Sequence, residues 1–180
     1  MEEEGVRMGI IVGKVEKLFK EISNWGRKNS LWAAIQPIGC CGMEMLATST
    51  PHYDADRWGV LYFESVRRCD LIIVGGYITK KYLPRLKYVY DQMTDPTYVL
   101  AMGECAISGG PFYDSYAMVT DVDEHIPIDV HIPGCPPRPE ALLDGIRELQ
   151  EKIQEEGDLE GKLPEEKVEW RYEYSGEQED

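Results

Sequence analysis

The sequence of 180 residues is long enough for one domain with a hydrophobic core, and 43% of its residues are apolar. Its formal net charge of −14 argues against a nucleic-acid or anionic-membrane binding surface, because both repel excess negative charge. No apolar run approaches the roughly 20 residues that span a bilayer, and the acidic start Met1–Gly5 is unlike a secretion signal. We therefore expect a cytoplasmic protein whose cysteines are reduced.

The first predicted element is an amphipathic helix over residues 14–27, where apolar side chains recur at helical spacing between charged ones. Its apolar positions are Val15, Leu18, Phe19, Ile22 and Trp25. A short buried strand is predicted at residues 31–35, and the segment 42–48, rich in Met, Leu and Ala, predicts a second helix.

Three further apolar segments are predicted strands: 70–74 and 97–102, each followed by glycine, and 128–132, followed by Pro133–Gly134. Residues 79–93 predict a helix between the first two of these strands, and residues 140–153 predict a helix after the third. Strands that alternate with helices predict an α/β fold. We expect an open, mostly parallel, flavodoxin-like sheet with helices on both faces.

The composition changes near residue 158, which separates an α/β domain (1–158) from an acidic tail (159–180). Residues 151–180 contain twelve acidic and four basic residues. Within the tail, a strand-like alternation of apolar and polar residues involves Val168, Trp170, Tyr172 and Tyr174. This pattern predicts docking of the tail on its own domain or on a neighbour, with a frayed terminus as the alternative.

Four of the five cysteines follow predicted strands. Cys40 and Cys41 follow the first strand, and Cys105 and Cys135 follow the strands at 97–102 and 128–132. Because sites in parallel sheets form beyond the carboxyl ends of the strands, we expect these four thiols to converge on one edge. Cys69 precedes its strand, so it is expected at the opposite edge as a small buried residue.

Glycines close before these cysteines (Gly39, Gly103 and Gly134) allow the backbone to approach a bulky inorganic group. Four thiolates suit a 4Fe–4S cube, and amide N–H groups in such turns can donate to cluster sulfur. Structural zinc is an alternative, although no C-x₂₋₄-C knuckle is present. A disulfide between Cys40 and Cys41 is disfavoured in a reducing compartment. From spacing alone, an iron–sulfur cluster, zinc and no metal all stay open.

Four longer motifs are more specific. They are NSLWAAIQPIGCCGMEMLATSTPHYDADRWG (29–59), DLIIVGGYITKK (70–81), MGECAISGGPFYDSYAMV (102–119) and DVHIPGCPPRPEALLDGI (129–146). They closely resemble the 20 kDa iron–sulfur subunit of complex I, which is the B subunit of NADH–quinone oxidoreductase. The resemblance covers roughly residues 14–153, and the tandem cysteine together with GCPPRPE is its most specific part. The family is related to the small subunits of nickel–iron hydrogenases.

The resemblance implies that Cys40, Cys41, Cys105 and Cys135 bind the terminal 4Fe–4S cluster of a membrane-bound respiratory oxidoreductase. It implies an electron-transfer subunit with no complete active site of its own. The implied partners are a large hydrogenase-like subunit of the 49 kDa type, a ferredoxin-like iron–sulfur subunit and membrane subunits, with no nucleic acid. The implied location is peripheral, on the cytoplasmic side of the cell membrane, without a transmembrane segment.

Three carboxylates also match acidic positions of the family. Glu44 follows the tandem cysteines and is the one candidate catalytic residue, whereas Asp54 and Asp70 match positions near the cluster or subunit contacts. For each of them, the alternative is a helix or turn carboxylate satisfied by nearby N–H groups.

Two departures from the family pattern concern the electron acceptor. Residues 65–70 read SVRRCD where quinone-reducing relatives carry a segment like SPRQAD, and Cys40–Cys41 replaces the C-x-x-C pair of hydrogenase-type relatives. The expected acceptor is quinone, or sulfane sulfur or polysulfide as in an archaeal sulfane sulfur reductase, at a site shared with the large subunit. The alternative function is the small subunit of an energy-converting nickel–iron hydrogenase. A nucleotide-binding flavodoxin-like protein is disfavoured because Gly75–Gly76 lacks a GxGxxG pattern.

Overall fold

The structure is a computed structural model that describes residues 2–63 and 65–156. The helices of the described residues are α1 Glu2–Lys28, α2 Gly39–Thr48, α3 Leu83–Asp91, α4 Glu104–Ser108 and α5 Pro139–Glu156. The strands are β1 Leu31–Pro37, β2 Val60–Tyr62, β3 Leu71–Gly75, β4 Tyr98–Met102 and β5 Val130–Ile132. Short 3₁₀ turns occupy Ala55–Trp58, Val66–Arg68 and Gly110–Phe112.

The five strands form one sheet in the order β2-β1-β3-β4-β5, and every strand pair is parallel. This is the flavodoxin-like order, in which the chain reverses direction across the sheet between β1 and β3. The one antiparallel contact of the described chain is an isolated bridge between Thr79 and Met118. The predicted open, mostly parallel sheet is therefore confirmed.

Side chains of successive strand residues divide between two core clusters, one on each face of the sheet. Ile73 and Leu100 belong to the cluster covered by α2 and α5. Ile72 and Val99 belong to the cluster covered by α3 and the segment 119–126. This alternation follows from the two-residue period of a strand, and continuous apolar strands are typical of parallel sheets covered on both faces. The prediction of helices on both faces is confirmed.

Several elements differ from their predicted bounds. The sequence did not predict β2, because three residues after Gly59 are too few to establish a period, nor the five-residue helix α4. Helix α1 begins at Glu2 rather than at residue 14. Helix α2 begins at Gly39 rather than residue 42, so Cys40 and Cys41 lie in its first turn instead of preceding it.

Helix α1 packs against α5 with its polar side. Asn24 is buried, at 7% exposure, whereas the large apolar side chains within residues 15–28 are 44–68% exposed. We call these the α1 apolar face: Val15, Leu18, Phe19, Ile22 and Trp25. At about 100° per residue, Asn24 lies on the opposite side of the helix from them. The predicted amphipathic helix is present, but its apolar face points away from the domain core.

No helix within the described residues is long and apolar enough to cross a membrane. The predicted tail, residues 159–180, lies outside the described residues, as does the proposed boundary at residue 158.

Candidate metal centre

Three turns at the carboxyl ends of the strands carry the four candidate ligands. Cys40 and Cys41 lie at the start of α2, directly after β1. Cys105 lies in α4 directly after β4, and Cys135 lies between β5 and α5. Since all the strands are parallel, these turns meet at the same edge of the sheet.

The sulfur atoms are near enough to influence one another's charge. Burial raises the pKa of the Cys41 thiol to about 11; Cys40 and Cys105 also raise it, while the backbone N–H of Gly76 lowers it. Burial likewise raises the pKa of Cys105, with smaller contributions from Cys135 and Cys40. Two of the thiols are therefore hard to ionise on their own, and a bound cation that attracts negative charge would hold them as thiolates.

The site has a buried half and an open half. Cys41 is 2% exposed and Cys105 is 7% exposed, whereas Cys40 and Cys135 are exposed. Two sulfurs thus face the protein interior and two lie at the surface. A group held by all four would be embedded on one side and accessible on the other.

Gly103 leaves the space beside the buried sulfur without a side chain. A Cβ atom at this position would lie 2.6 Å from the Cys41 Sγ, and its φ of +90° is unfavourable for any other residue. The Gly103 N–H donates to the Ile132 carbonyl at 2.8 Å, and the next N–H, of Glu104, donates to the Gly134 carbonyl at 2.9 Å. These bonds join the turn after β4 to the turn after β5.

The four cysteine thiols can be compared with the ligands of a zinc ion and with the ligands of a 4Fe–4S cluster. Across residues 2–63 and 65–156, no three His, Cys, Asp or Glu side chains are placed so as to hold a metal ion. In a zinc site, four ligands would meet around one ion at about 2.0–2.3 Å. In a 4Fe–4S cube each thiolate binds a different iron atom, so the sulfurs lie further apart. Four thiols are also the donor set that a 4Fe–4S cube uses, so Cys40, Cys41, Cys105 and Cys135 are the residues that could hold one.

Polar side chains link the segment after α2 to the start of α5. The Tyr53 hydroxyl donates to Glu140 Oε1 at 3.1 Å. Desolvation and this bond raise the pKa of Tyr53, Glu140 and Glu44 raise it through their charges, and Arg138 lowers it. Glu44 was predicted from the sequence, but Tyr53, Arg138 and Glu140 were not. The sequence feature that could have indicated Arg138 and Glu140 is the GCPPRPE motif, which contains both.

The other two carboxylates have local partners. Asp54 begins a 3₁₀ turn at φ +48°, and its Oδ2 is 3.1 Å from the Arg57 Nε. Asp70 Oδ1 accepts the Trp32 N–H at 2.7 Å, and burial raises the pKa of this carboxyl to about 6. Asp70 precedes β3, so it lies at the amino edge of the sheet, opposite to the cysteines. Both positions fit the alternative of a locally satisfied carboxylate.

Cys69 also lies at the amino edge, and it is fully buried, as predicted. Its thiol donates to the Ser65 carbonyl at 3.3 Å. Beside it, the Arg68 guanidinium lies 5.4 Å from the Trp32 ring centroid and 5.2 Å from that of Phe63. The segment 65–70, which departs from the quinone-reducing pattern, is therefore on the edge opposite to Cys40, Cys41, Cys105 and Cys135.

The sequence profile of the family described as NADH ubiquinone oxidoreductase, 20 Kd subunit, matches residues 39–149, more than half of the chain. The chain belongs to this family. The matched region contains all four cysteines of the carboxyl edge, and the resemblance inferred from the motifs is confirmed. Members of the NADH ubiquinone oxidoreductase 20 Kd subunit family are components of oxidoreductases, so this chain is an oxidoreductase subunit of that type.

Two curated relatives of this 20 Kd subunit family member match most of its length. The B subunit of the F420H2 dehydrogenase of Methanosarcina mazei is 63% identical over 134 residues, which are 74% of this chain and 73% of the relative. The B subunit of the NADH-quinone oxidoreductase of Heliobacterium modesticaldum is 48% identical over 153 residues, which are 84% of this chain and 85% of the relative.

Two solved structures are also similar to this 20 Kd subunit family member. A chain of the membrane-bound sulfane sulfur reductase, an archaeal respiratory membrane complex, is 44% identical with a TM-score of 0.72, covering 75% of this chain and 76% of that chain. A chain of an NAD⁺-reducing [NiFe]-hydrogenase is 18% identical with a TM-score of 0.50, covering 68% of this chain and 92% of that chain. The hydrogenase likeness shows the fold alone.

Proposed function

We propose that Cys40, Cys41, Cys105 and Cys135 hold one 4Fe–4S cluster and that the chain is an electron-transfer subunit of a membrane-bound oxidoreductase complex. The observation that carries this proposal is the meeting of four thiols from three turns at one edge of the sheet, with Gly103 leaving room beside the most buried sulfur. The family membership supports the same conclusion, since all four cysteines lie within the matched residues.

When bound, such a cluster accepts and releases one electron at a time. The chain contributes a fixed position and a partly buried setting, because Cys41 and Cys105 are buried while Cys40 and Cys135 are exposed. The Gly76 N–H lowers the pKa of the Cys41 thiol, so it favours negative charge on this sulfur. Hydrogen bonds to sulfur and solvent exposure are among the factors that set a cluster's reduction potential.

The open half of the site has apolar surroundings that suit a protein partner. Met43, next to the tandem cysteines in α2, is 71% exposed, and Tyr113 is 71% exposed. The rings of Tyr77 and Phe112 contact each other at 5.7 Å, and Tyr77 lies against Gly39. Exposed apolar groups around a site are typical of a surface covered on assembly. We assign this surface to a large hydrogenase-like subunit of the 49 kDa type.

The relatives named as subunits of oxidoreductases and of a membrane complex support a larger assembly around this chain. We propose a ferredoxin-like iron–sulfur subunit as the immediate electron donor, membrane subunits as anchors, and a peripheral position on the cytoplasmic side of the membrane. The 63% identity to the F420H2 dehydrogenase relative favours a complex that oxidises F420H2. The acceptor is quinone, or sulfane sulfur or polysulfide, at a site shared with the large subunit.

The cluster is tested by elemental analysis of the complex purified from membranes, compared with a complex carrying Cys135→Ala. The expected difference is about four iron and four acid-labile sulfide per chain, as one 4Fe–4S cluster requires. A loss of zinc, with iron and sulfide unchanged, would instead assign the four cysteines to a structural zinc site.

The acceptor is tested with the same complex under anoxic conditions, with reduced F420 as donor and a quinone analogue, polysulfide or protons as acceptor. Reduction of the quinone analogue or polysulfide, lost in the Cys135→Ala complex, is expected. Hydrogen evolution together with nickel in the complex would instead indicate the alternative function, the small subunit of an energy-converting nickel–iron hydrogenase.

A further inference from the structure

The first of two aromatic side chains at the carboxyl edge lies against the turn that carries Cys40. Tyr77 comes just after β3, and a Cβ atom on Gly39 would be 2.9 Å from the Tyr77 Cε1 and 3.1 Å from its Cδ1. Gly39 has a φ of +63° and no side chain, so the Tyr77 ring occupies the space that a side chain there would need. The ring therefore packs on the residue immediately before Cys40.

The second aromatic side chain, Phe112, comes from the segment that carries Cys105. The 3₁₀ turn Gly110–Phe112 packs on α4, and a Cβ atom on Gly110 would be 3.1 Å from the Cys105 backbone nitrogen. The Phe112 ring meets the Tyr77 ring edge-to-face, with centroids 5.7 Å apart and ring planes at 68°. The Tyr77–Phe112 pair thus joins the turn of Cys40 to the turn of Cys105.

The backbone on both sides of Tyr77 is held in place. Gly76, at φ +83°, has no room for a side chain, because a Cβ atom there would overlap the Ile38 carbonyl. Ile78 is fully buried, and its carbonyl accepts the Val119 N–H at 2.8 Å. The ring of Tyr77 is itself 38% exposed. It is therefore a fixed apolar feature at the open half of the site.

We propose that the Tyr77–Phe112 pair excludes water from the side of the cluster site between Cys40 and Cys105, and thereby lowers the reduction potential of the cluster. This inference rests on the proposed function, since it requires a cluster at the four cysteines. Reduction adds negative charge to a site with four thiolates, and water stabilises added charge better than aromatic carbon does. The apolar surroundings of a metal site control its access to solvent and hence its potential. Neither residue is a ligand, so both act through these surroundings.

The proposal is tested in the complex purified from membranes by an EPR-monitored redox titration of the signal that Cys135→Ala abolishes. Tyr77→Ala removes the ring and should raise the midpoint potential, whereas Tyr77→Phe keeps the ring and should leave the potential unchanged. Tyr88→Ala removes a tyrosine that is 53% exposed on α3 and is the matched control. Deuterium modulation of the reduced signal in D₂O reports exchangeable protons near the cluster. It should increase in Tyr77→Ala and not in Tyr77→Phe or Tyr88→Ala.

Phe112→Ala opens the same cover from the other side, so it keeps the test decisive if Tyr77→Ala does not assemble. It should also raise the potential, and the double variant should shift it by less than the sum of the two single shifts, because either loss admits water. An unchanged potential or an unchanged deuterium modulation in both alanine variants would overturn the proposal. An equal shift in Tyr77→Phe would also overturn it, because the effect would then belong to the hydroxyl group.

Iron and acid-labile sulfide, measured on the same samples, separate this inference from the proposed function. If Cys135→Ala leaves the iron and sulfide of the complex unchanged, the proposed function fails. If Cys135→Ala removes them while Tyr77→Ala and Phe112→Ala keep both the metal and the original potential, only the role of the ring pair fails. Loss of iron and sulfide in both alanine variants would show that the rings retain the cluster rather than set its potential, and would overturn the inference.

Discussion

Cys105 and Cys69 are both buried thiols at the ends of parallel strands, but they lie at opposite edges of the sheet and have different neighbours. Cys105 follows β4, and three further cysteines share its edge. Cys69 precedes β3 and donates to the Ser65 carbonyl. Burial raises the pKa of both thiols, so burial alone does not distinguish a metal ligand from a packed residue. The distinguishing features are the neighbouring sulfurs and the glycine turns.

The carboxylates repeat this contrast. At the amino edge, Asp70 accepts the Trp32 N–H and Asp129 accepts the Val99 N–H, so each precedes one strand and bonds to the N–H of a neighbouring strand. At the carboxyl edge, the charges of Glu140 and Glu44 both raise the pKa of Tyr53. The acidic residues at the amino edge therefore accept hydrogen bonds from strand N–H groups, whereas those at the carboxyl edge interact with Tyr53.

The largest effect we predict, apart from changes to the four proposed cysteine ligands, is that of Gly103→Ala. The added methyl would lie 2.6 Å from the Cys41 Sγ at a backbone φ of +90°. Strain of this kind costs about 1–3 kcal/mol, so we expect cluster content to fall about tenfold. Iron and sulfide analysis of the purified complex measures it. Gly26→Ala is the matched control, because no atom lies within 4 Å of the new methyl. Equal cluster content in both variants would show that the space beside Cys41 is not needed.

The second largest expected effect is a difference in thiol alkylation rate between the two edges of the sheet. In the cluster-free chain under reducing conditions, iodoacetamide should modify the exposed Cys40 and Cys135 about tenfold faster than the buried Cys69. Cys41 should also be slow, since burial raises its pKa to about 11 and thiolates are the reactive form. Peptide mass spectrometry over a time course gives the rates. Modification of Cys69 as fast as Cys135 would contradict the buried amino edge.

A smaller effect is expected from a charge change beside the cysteines. Glu44 lies one helical turn after Cys40, so Glu44→Gln removes a negative charge near the proposed cluster. The reduction potential should rise by about a few tens of millivolts, because the electron added on reduction is then repelled less. An EPR-monitored redox titration measures the potential. Asp70→Asn, at the opposite edge, should leave it unchanged, and equal shifts in both variants would mean that edge position does not matter.

The smallest effect concerns stability at the amino edge. Burial raises the pKa of Asp70 from an ordinary value near 4 to about 6, so the folded state disfavours the ionised carboxylate. This carboxyl therefore favours folding most below pH 4, and that contribution is lost as the pH rises to about 6. Asp70→Asn keeps an oxygen for the Trp32 N–H, so its stability relative to the unchanged chain should increase between about pH 4.5 and 7. Urea denaturation at about pH 4.5 and 7 measures the free energy of unfolding of both chains. If the difference between the two chains were the same at both pH values, the raised pKa of Asp70 would be contradicted.

The convergence of the cysteines was predictable because it depends only on the order of strands and on where each cysteine follows one. For the same reason, the sequence could distinguish Cys69, which precedes its strand, from the four cysteines that follow theirs. The polar group around Tyr53 was not predictable, since it joins residues distant in sequence through side-chain positions that no periodicity encodes.

Helix α1 shows a second limit. Its apolar spacing predicted an amphipathic helix, and that prediction holds. Which side of α1 faces the domain depends on its contact with α5. Asn24 is buried, so the polar side faces the domain, whereas the apolar side of an amphipathic helix usually does. Short elements such as β2 and α4 were missed because three to five residues carry too little pattern.

The most direct measurement is EPR spectroscopy of the reduced complex with two cysteine variants. Cys135→Ala should abolish the signal of the cluster held by this chain, because it removes one of the four thiolates. Cys69→Ala removes a buried thiol at the other edge and should leave that signal intact. Retention of the signal in Cys135→Ala, or its loss in both variants with both complexes assembled, would contradict the assignment of the carboxyl edge as the cluster site.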